Sequence, residues 1–227
     1  AFAGHDSVVW NNSFMADDEE KAPSAEFTRK LFAGECEFIW GADDVNSLPP
    51  ATLPEIAFVG RSNAGKSSLV NALTNRNALA RVSNTPGRTR QINFFKLGHS
   101  LMLVDLPGYG FAQASKTMTA QWQQLIFDYL RGRANLRRVI LLVDARRGVM
   151  DVDQEAMKLL DEAAVSYLVT LTKMDALKPP EREAALARCA EAIKDRIAAY
   201  PGVLATSSLA KDGLEPVRAH LAALAAR

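Results

Sequence analysis

Gly60-Arg61-Ser62-Asn63-Ala64-Gly65-Lys66-Ser67 decides how this chain is read, because it fits the pattern G-x-x-x-x-G-K-[ST]. The apolar run Ile56-Ala57-Phe58-Val59 precedes it, and Ser68-Leu69-Val70-Asn71-Ala72-Leu73 follows with helical spacing. Strand, glycine-bounded loop and helix in succession are the context that a phosphate-binding loop requires. The glycines let backbone N–H groups turn inward around phosphate oxygens, and the helix adds its partial positive N-terminus. Lys66 is expected to bridge the β- and γ-phosphates, and Ser67 to ligate Mg²⁺.

Outward from this loop, short apolar runs alternate with longer stretches of helical period, the rhythm of βαβ units around a largely parallel sheet. Strands are expected over residues 55–60, 91–97, 100–105, 138–144, 167–172 and 203–206, with a further edge strand around 37–40. Gly98 and His99 separate two of these so tightly that only an antiparallel hairpin joins them. Helices are expected over residues 66–75, 117–132, 152–164, 180–199 and 214–226. Met157, Leu160 and Ala164 read as a core-facing stripe. The expected fold is α/β with three layers: a mixed, mostly parallel sheet of six or seven strands, helices on both faces, and the order of a P-loop nucleotide-binding domain.

The 227 residues suffice for one α/β core plus an extension. Residues 1–35 read as a flexible acidic N-terminal extension and 36–227 as the folded domain. Met15 begins a stretch that looks like a native start, so residues 1–14 read as an appended remnant or an upstream extension. Residues 1–50 hold 3 Lys/Arg against 10 Asp/Glu, whereas residues 51–227 hold 24 against 16. A basic domain behind an acidic extension suggests a polyanionic partner such as RNA. Arg131, Arg133, Arg137, Arg138, Arg146 and Arg147 could form a basic rim for phosphates, or a set of solvated arginines. Cys36 and Cys189 match no metal or disulfide framework and point to a reducing, cytoplasmic setting. His5, His99 and His220 are scattered and read as surface residues. The longest apolar run is far too short to span a bilayer, so no membrane association is expected.

Three further loops carry chemistry. Asp105-Leu106-Pro107-Gly108 ends an apolar run, placing a carboxylate where it can hold Mg²⁺ through water and a glycine whose N–H can approach the γ-phosphate. Thr172-Lys173-Met174-Asp175 ends another, and the Asp175 carboxylate can accept from guanine N1–H and N2–H₂ together, a donor pair adenine lacks. Lys173 is expected to lie along the base and brace the phosphate loop. Thr206-Ser207-Ser208 would complete the wall, with backbone N–H groups facing guanine O6. An ATPase is the natural competitor, since the apolar run ending at Asp144 also resembles a magnesium-binding strand, but no glutamate follows it. The polar, Pro- and Gly-bearing stretch at residues 83–91 reads as a mobile switch loop. Thr89 is the preferred Mg²⁺ and γ-phosphate contact there, with Thr85 in reserve.

Together GRSNAGKSSLVNALTN at 60–75, SNTPGRTRQINFF at 83–95, DLPGYGFA at 105–112 and TKMD at 172–175 resemble the bacterial EngB (YihA/YsxC) GTPases of the Era-like class. The resemblance spans roughly residues 36–226. It implies a Mg²⁺-dependent cytoplasmic GTPase, expected to be a monomer, that assists assembly of the large ribosomal subunit, contacts its precursor or rRNA, and is needed for cell division and septation. By position it carries nucleotide contacts onto Gly60 to Ser67, onto Gly87, Arg88, Thr89, Arg90 and Gln91, and onto Asp105, Leu106, Pro107 and Gly108. It carries them likewise onto Thr172, Lys173, Met174 and Asp175 and onto Thr206, Ser207 and Ser208. Mg²⁺ falls to Ser67 and Thr89.

This chain departs from the family pattern at two positions. Thr172 stands where Asn is usual, which would weaken side-chain bracing, and Arg90 follows Thr89 where Gln is usual. Tyr109 follows Gly108, where many GTPases have a water-positioning Gln, so slow intrinsic hydrolysis is expected. Asn63, by likeness to related Era-like proteins, is expected to help bind K⁺ beside the phosphates, joining Lys66, Thr89 and Gly108 in catalysis; the alternative is a loop-closing asparagine. A competing reading is an interaction protein of the division machinery in which nucleotide stabilises a docking surface and hydrolysis is incidental.

Overall fold

A computed structural model describes residues 8–9, 23–76, 79, 91–109 and 116–226, with backbone alone for 8–9 and 116–122. In chain order the elements are β1 (Val8–Val9), α1 (Ala25–Ala33), β2 (Cys36–Ala42), β3 (Glu55–Gly60), α2 (Lys66–Leu73), β4 (Ile92–Leu97) and β5 (Leu101–Asp105). There follow α3 (Lys116–Gly132), β6 (Leu136–Asp144), α4 (Asp151–Glu162), β7 (Tyr167–Thr172), α5 (Pro179–Ile193), β8 (Ala199–Ala205) and α6 (Leu214–Ala225). The sheet order is β1-β8-β7-β6-β3-β5-β4-β2. Strands β3, β5, β6, β7 and β8 run parallel, and the β4–β5 hairpin with β2 supplies an antiparallel edge. The seven main strands match the expected count, and the two-residue β1 adds to the opposite edge.

Every residue of β3, β5 and β7 is buried, as a central strand covered on both faces demands. Period-two alternation then divides the side chains between two cores. Ile56, Phe58, Leu103, Ile140, Leu142 and Leu168 face α1, α2 and α6. Ala57, Val59, Val104, Val139, Leu141 and Val169 face α3, α4 and α5. Each fully buried aliphatic contributes about 1.5–3 kcal/mol over leaving it in water.

Several expectations shift. The boundary at residue 36 falls too late, because α1 lies before it: Ser24 Oγ accepts from Phe27 N at 3.1 Å as an N-cap, and Leu31 and Phe32 are buried against the sheet. Residues 1–14 lie outside the described residues apart from Val8 and Val9. The helix expected to reach residue 199 stops at Ile193, and β8 already begins at Ala199. Alanine-rich composition favours helix locally, but pairing of Ala199 with Tyr167 overrides it. Met157 and Leu160 are core residues, whereas Ala164 follows the end of α4 in a left-handed conformation (φ 54°) and is exposed. Both thiols are buried, and that burial pushes Cys36 up to about 11 and Cys189 to about 12, so neither is a reactive nucleophile. His99 is exposed and His220 half-buried, its ring edge-on to Tyr200. His5 lies outside the described residues.

Candidate functional site

The C-terminal ends of the parallel strands carry the expected loops to one rim of the sheet, where such folds bind ligands. From β3 the chain enters Gly60, where a Cβ would stand 2.9 Å from the Leu142 carbonyl oxygen, so the loop begins pressed against β6. Ala64 N donates to Arg61 O at 2.9 Å, and Asn63 (φ 66°) and Gly65 (φ 94°) take left-handed conformations that curl the backbone inward. α2 then starts at Lys66 with no side-chain cap, unlike α1. Its first N–H groups are thereby directed into the loop rather than satisfied by a cap, which suits an anion.

Asp105 ends β5 with its side chain nearly buried and meets the Lys66 ammonium. Leu106 N still donates to Phe58 O at 3.0 Å. After Pro107 and Gly108, Tyr109 joins the phosphate loop: its N donates to Gly60 O at 3.2 Å and its carbonyl accepts from Ser62 N at 3.0 Å. A Cβ on Gly108 would lie 3.1 Å from Gly60 O and 3.4 Å from Ser62 N, so glycine allows this segment to lie directly on the loop. A serine hydroxyl and a carboxylate are hard oxygen donors of the kind Mg²⁺ takes. Ser67, in the first turn of α2, and Asp105 lie on the two segments that flank Lys66, and this donor set fits the ion.

The loop after β7 grips the phosphate loop through side chains. Thr172 Oγ1 donates to Ala64 O at 2.6 Å, and Lys173 Nζ donates to Asn63 O at 2.5 Å and to Asp144 Oδ2 at 2.9 Å. The bracing expected to suffer from Thr172 is therefore made by its hydroxyl. Lys173 braces the loop as expected. Asp144, the aspartate that raised an ATPase reading, is held by Arg146 and Lys173. Its burial favours the neutral acid, but hydrogen bonds from Arg146 and Lys173 outweigh that and hold the carboxyl well below the usual carboxylate range. Asp175 is exposed, and its Oδ1 accepts from the buried Ser207 hydroxyl at 2.5 Å. Met174 is buried, with its N–H on Thr206 O at 3.1 Å.

The wall at Thr206, Ser207 and Ser208 is narrower than expected. Thr206 N donates to Leu171 O at 2.7 Å and Ser207 N to Asp212 O at 2.9 Å, so both N–H groups are used internally and Ser208 carries the expectation. Ser207 Oγ also accepts from Ala210 N at 2.9 Å, closing the turn. Gly87, Arg88, Thr89 and Arg90 lie outside the described residues, as does Thr85; Gln91 is described just before β4 and is exposed. The basic rim is thinner than the sequence suggests. Arg133 is half-buried and tied to the buried Glu55, with Nη2 at 2.6 Å from Oε1, and Arg138 stacks 4.0 Å over the Tyr200 ring. Arg146 pairs with Asp144 yet stays exposed, as do Arg131, Arg137 and Arg147.

Sequence reasoning missed three contributors. Asp153 in the first turn of α4 receives the Tyr109 hydroxyl at 2.7 Å. Asp212 closes the 207–212 turn. Gly213 (φ 68°) passes so close to β8 that a Cβ would fall 1.9 Å from Ala205 O. Only Gly213, a glycine before a helical pattern, left a mark that could have been read.

Fold and loops together define a P-loop GTPase. A family model described as 50S ribosome-binding GTPase matches residues 55–173. The "Probable GTP-binding protein EngB" of Rhodospirillum rubrum is 52% identical over 216 residues, covering 93% of this chain and 94% of that one. Its namesake in Caulobacter vibrioides is 53% identical over 199 residues, covering 88% and 87%. A crystal structure of a probable GTP-binding protein engB superposes with TM-score 0.61 at 24% identity, over 76% of this chain and all of that one. The chain belongs to the EngB family of GTP-binding proteins and is a GTPase. Among the described residues, no helix is long and apolar enough to cross a membrane.

Proposed function

We propose that this GTPase is a Mg²⁺-dependent, slowly hydrolysing switch of the cytoplasm that assists assembly of the large ribosomal subunit and is needed for normal cell division and septation. The observation that supports the nucleotide-binding part of this reading is the grip of Thr172 and Lys173 on Ala64 and Asn63. It makes base recognition and phosphate binding one rigid unit. The assembly role is supported by the family's description as ribosome-binding.

In this reading the Asp175 carboxylate, oriented by Ser207, takes the guanine N1–H and N2–H₂. Lys173 lies along the base, and the Ser208 N–H faces O6. The uncapped start of α2 and the Gly60 to Gly65 backbone wrap the phosphates, and Lys66 draws the β- and γ-oxygens. Mg²⁺, held by Ser67, Thr89 and, through water, Asp105, would neutralise charge on the phosphates. Gly108 presents its N–H to the γ-phosphate. Tyr109 cannot supply the amide pair of a glutamine, and burial together with the Asp153 carboxylate pushes its phenol far above the usual range. It is therefore no base for the attacking water, and turnover is slow. The Asn63 side chain is exposed and free to meet K⁺ while its carbonyl is fixed by Lys173.

Two measurements test this reading. Co-sedimentation with large-subunit precursors should require a non-hydrolysable GTP analogue and be lost with GDP; equal association in both states contradicts the switch. Turnover should fall when K⁺ is replaced by Na⁺, and an unchanged rate removes Asn63 from catalysis.

A further inference from the structure

Tyr109 and Asp153 make a contact that phosphate and guanine recognition do not use. The Tyr109 hydroxyl donates to Asp153 Oδ1 at 2.7 Å, and the second carboxylate oxygen accepts from Met150 N at 2.9 Å, capping α4. Asp153 is only 1% exposed. A charge so buried is tolerated when hydrogen bonds occupy it, so this pair is a fixed point. Tyr109 is one of the residues lining an apolar pocket of about 250 Å³ between α3 and α4, with Ile126, Leu130 and Leu159. The ring itself is buried in the core, and the hydroxyl bond fixes its outer end.

The backbone of Tyr109 is clamped to Gly60 and Ser62, and Gly108 sits immediately before it. A second contact joins the same parts, since the Arg61 guanidinium meets Met150 Sδ at the head of α4. Glycine has the widest conformational freedom of any residue. The Gly108 N–H thus lies between two fixed points, the Leu106 backbone bonded to Phe58 and the Tyr109 backbone bonded to Gly60 and Ser62, with only Pro107 intervening.

We infer that Asp153 is a positioning residue for GTP hydrolysis, holding the Gly108 N–H in line for the γ-phosphate through the Tyr109 hydroxyl. This rests on the reading of Gly108 as the γ-phosphate contact. A donor aimed in advance stabilises developing charge without reorganising during the reaction, whereas a loosened one must be ordered each time. GDP lacks the group being read, so its affinity is insensitive to the anchor.

Tyr109→Phe in the full chain keeps the ring and removes only the hydroxyl. Single-turnover hydrolysis should slow by about 5- to 20-fold and affinity for a non-hydrolysable GTP analogue should fall by about 3- to 10-fold, with GDP affinity within about twofold of wild type. Asp153→Asn should move the same quantities in the same direction. The double variant should be no worse than the more affected single, since both act through one chain of contacts. Unchanged hydrolysis in both variants overturns the inference, and so does equal weakening of GDP and analogue, which marks a merely structural role. If the wild-type chain binds GDP and the analogue with equal affinity and does not hydrolyse GTP, the underlying reading of Gly108 fails as well. If Tyr109→Phe does not fold, Asp153→Asn, which keeps one acceptor oxygen, decides alone.

Discussion

The phosphate loop, Gly60 to Ser67, and the guanine loop, Thr172 to Asp175, hold their shapes by opposite means. The first is built from backbone: close approach at Gly60, left-handed residues at Asn63 and Gly65, and an uncapped helix start. The second is built from side chains that reach across the fold, from Thr172 to Ala64, Lys173 to Asn63 and Asp144, and Asp175 to Ser207. The difference teaches that the guanine loop also scaffolds the phosphate loop. Changes at Thr172 or Lys173 should therefore weaken phosphate binding, while changes at Asp175 should alter only the choice of base.

The comparison breaks most severely at Lys66. Lys66→Ala removes the charge-assisted bonds to phosphate, a loss of about 2–3 kcal/mol, or roughly 30- to 150-fold, in affinity for GTP and GDP alike by calorimetry. Gly213→Ala attacks the guanine side through folding instead. Its Cβ would meet Ala205 O, and the left-handed backbone adds strain, so urea unfolding should show a loss of about 2–3 kcal/mol.

Thr172→Ala leaves the Ala64 carbonyl without its partner and should cost about 1–2 kcal/mol in binding of both nucleotides, with Thr172→Ser restoring most of it. A guanine-specific loss would contradict the scaffolding role. The smallest effect is pH-dependent. Because the folded Asp144 carboxyl lies below its unfolded value of about 4, the stability it contributes is present above that pH and lost as pH falls through the folded value. Asp144→Asn should therefore be less stable than wild type at neutral pH in thermal melts, with the gap closing on acidification.

The same contrast explains what the sequence made legible. A backbone-built loop needs glycines at fixed spacing, so Gly60 to Ser67 could be read directly, and central strands buried on both faces stood out as apolar runs. A side-chain-built loop depends on partners distant in the chain: nothing in the local sequence says that Thr172 finds Ala64, 108 residues away. Asp153 is invisible for the same reason, since an acidic residue in the first turn of a helix ordinarily signals only capping. α1 is hard to read because its few buried residues, Thr28, Leu31 and Phe32, follow closely on the polar, acidic run Asp17-Asp18-Glu19-Glu20. The end of α5 was misread because alanine carries helical propensity past the point where sheet pairing takes over.

Base choice by Asp175 is the central claim, and exchanging its carboxylate for an amide tests it most directly. In Asp175→Asn, one acceptor pair becomes a donor and an acceptor, which matches xanthine better than guanine. Measured by displacement of a fluorescent nucleotide, GTP affinity should fall on the order of a hundredfold while xanthosine triphosphate affinity rises and ATP stays weak in both proteins. A wild-type chain that binds ATP as tightly as GTP, or an Asp175→Asn variant whose preference is unchanged, would contradict the account.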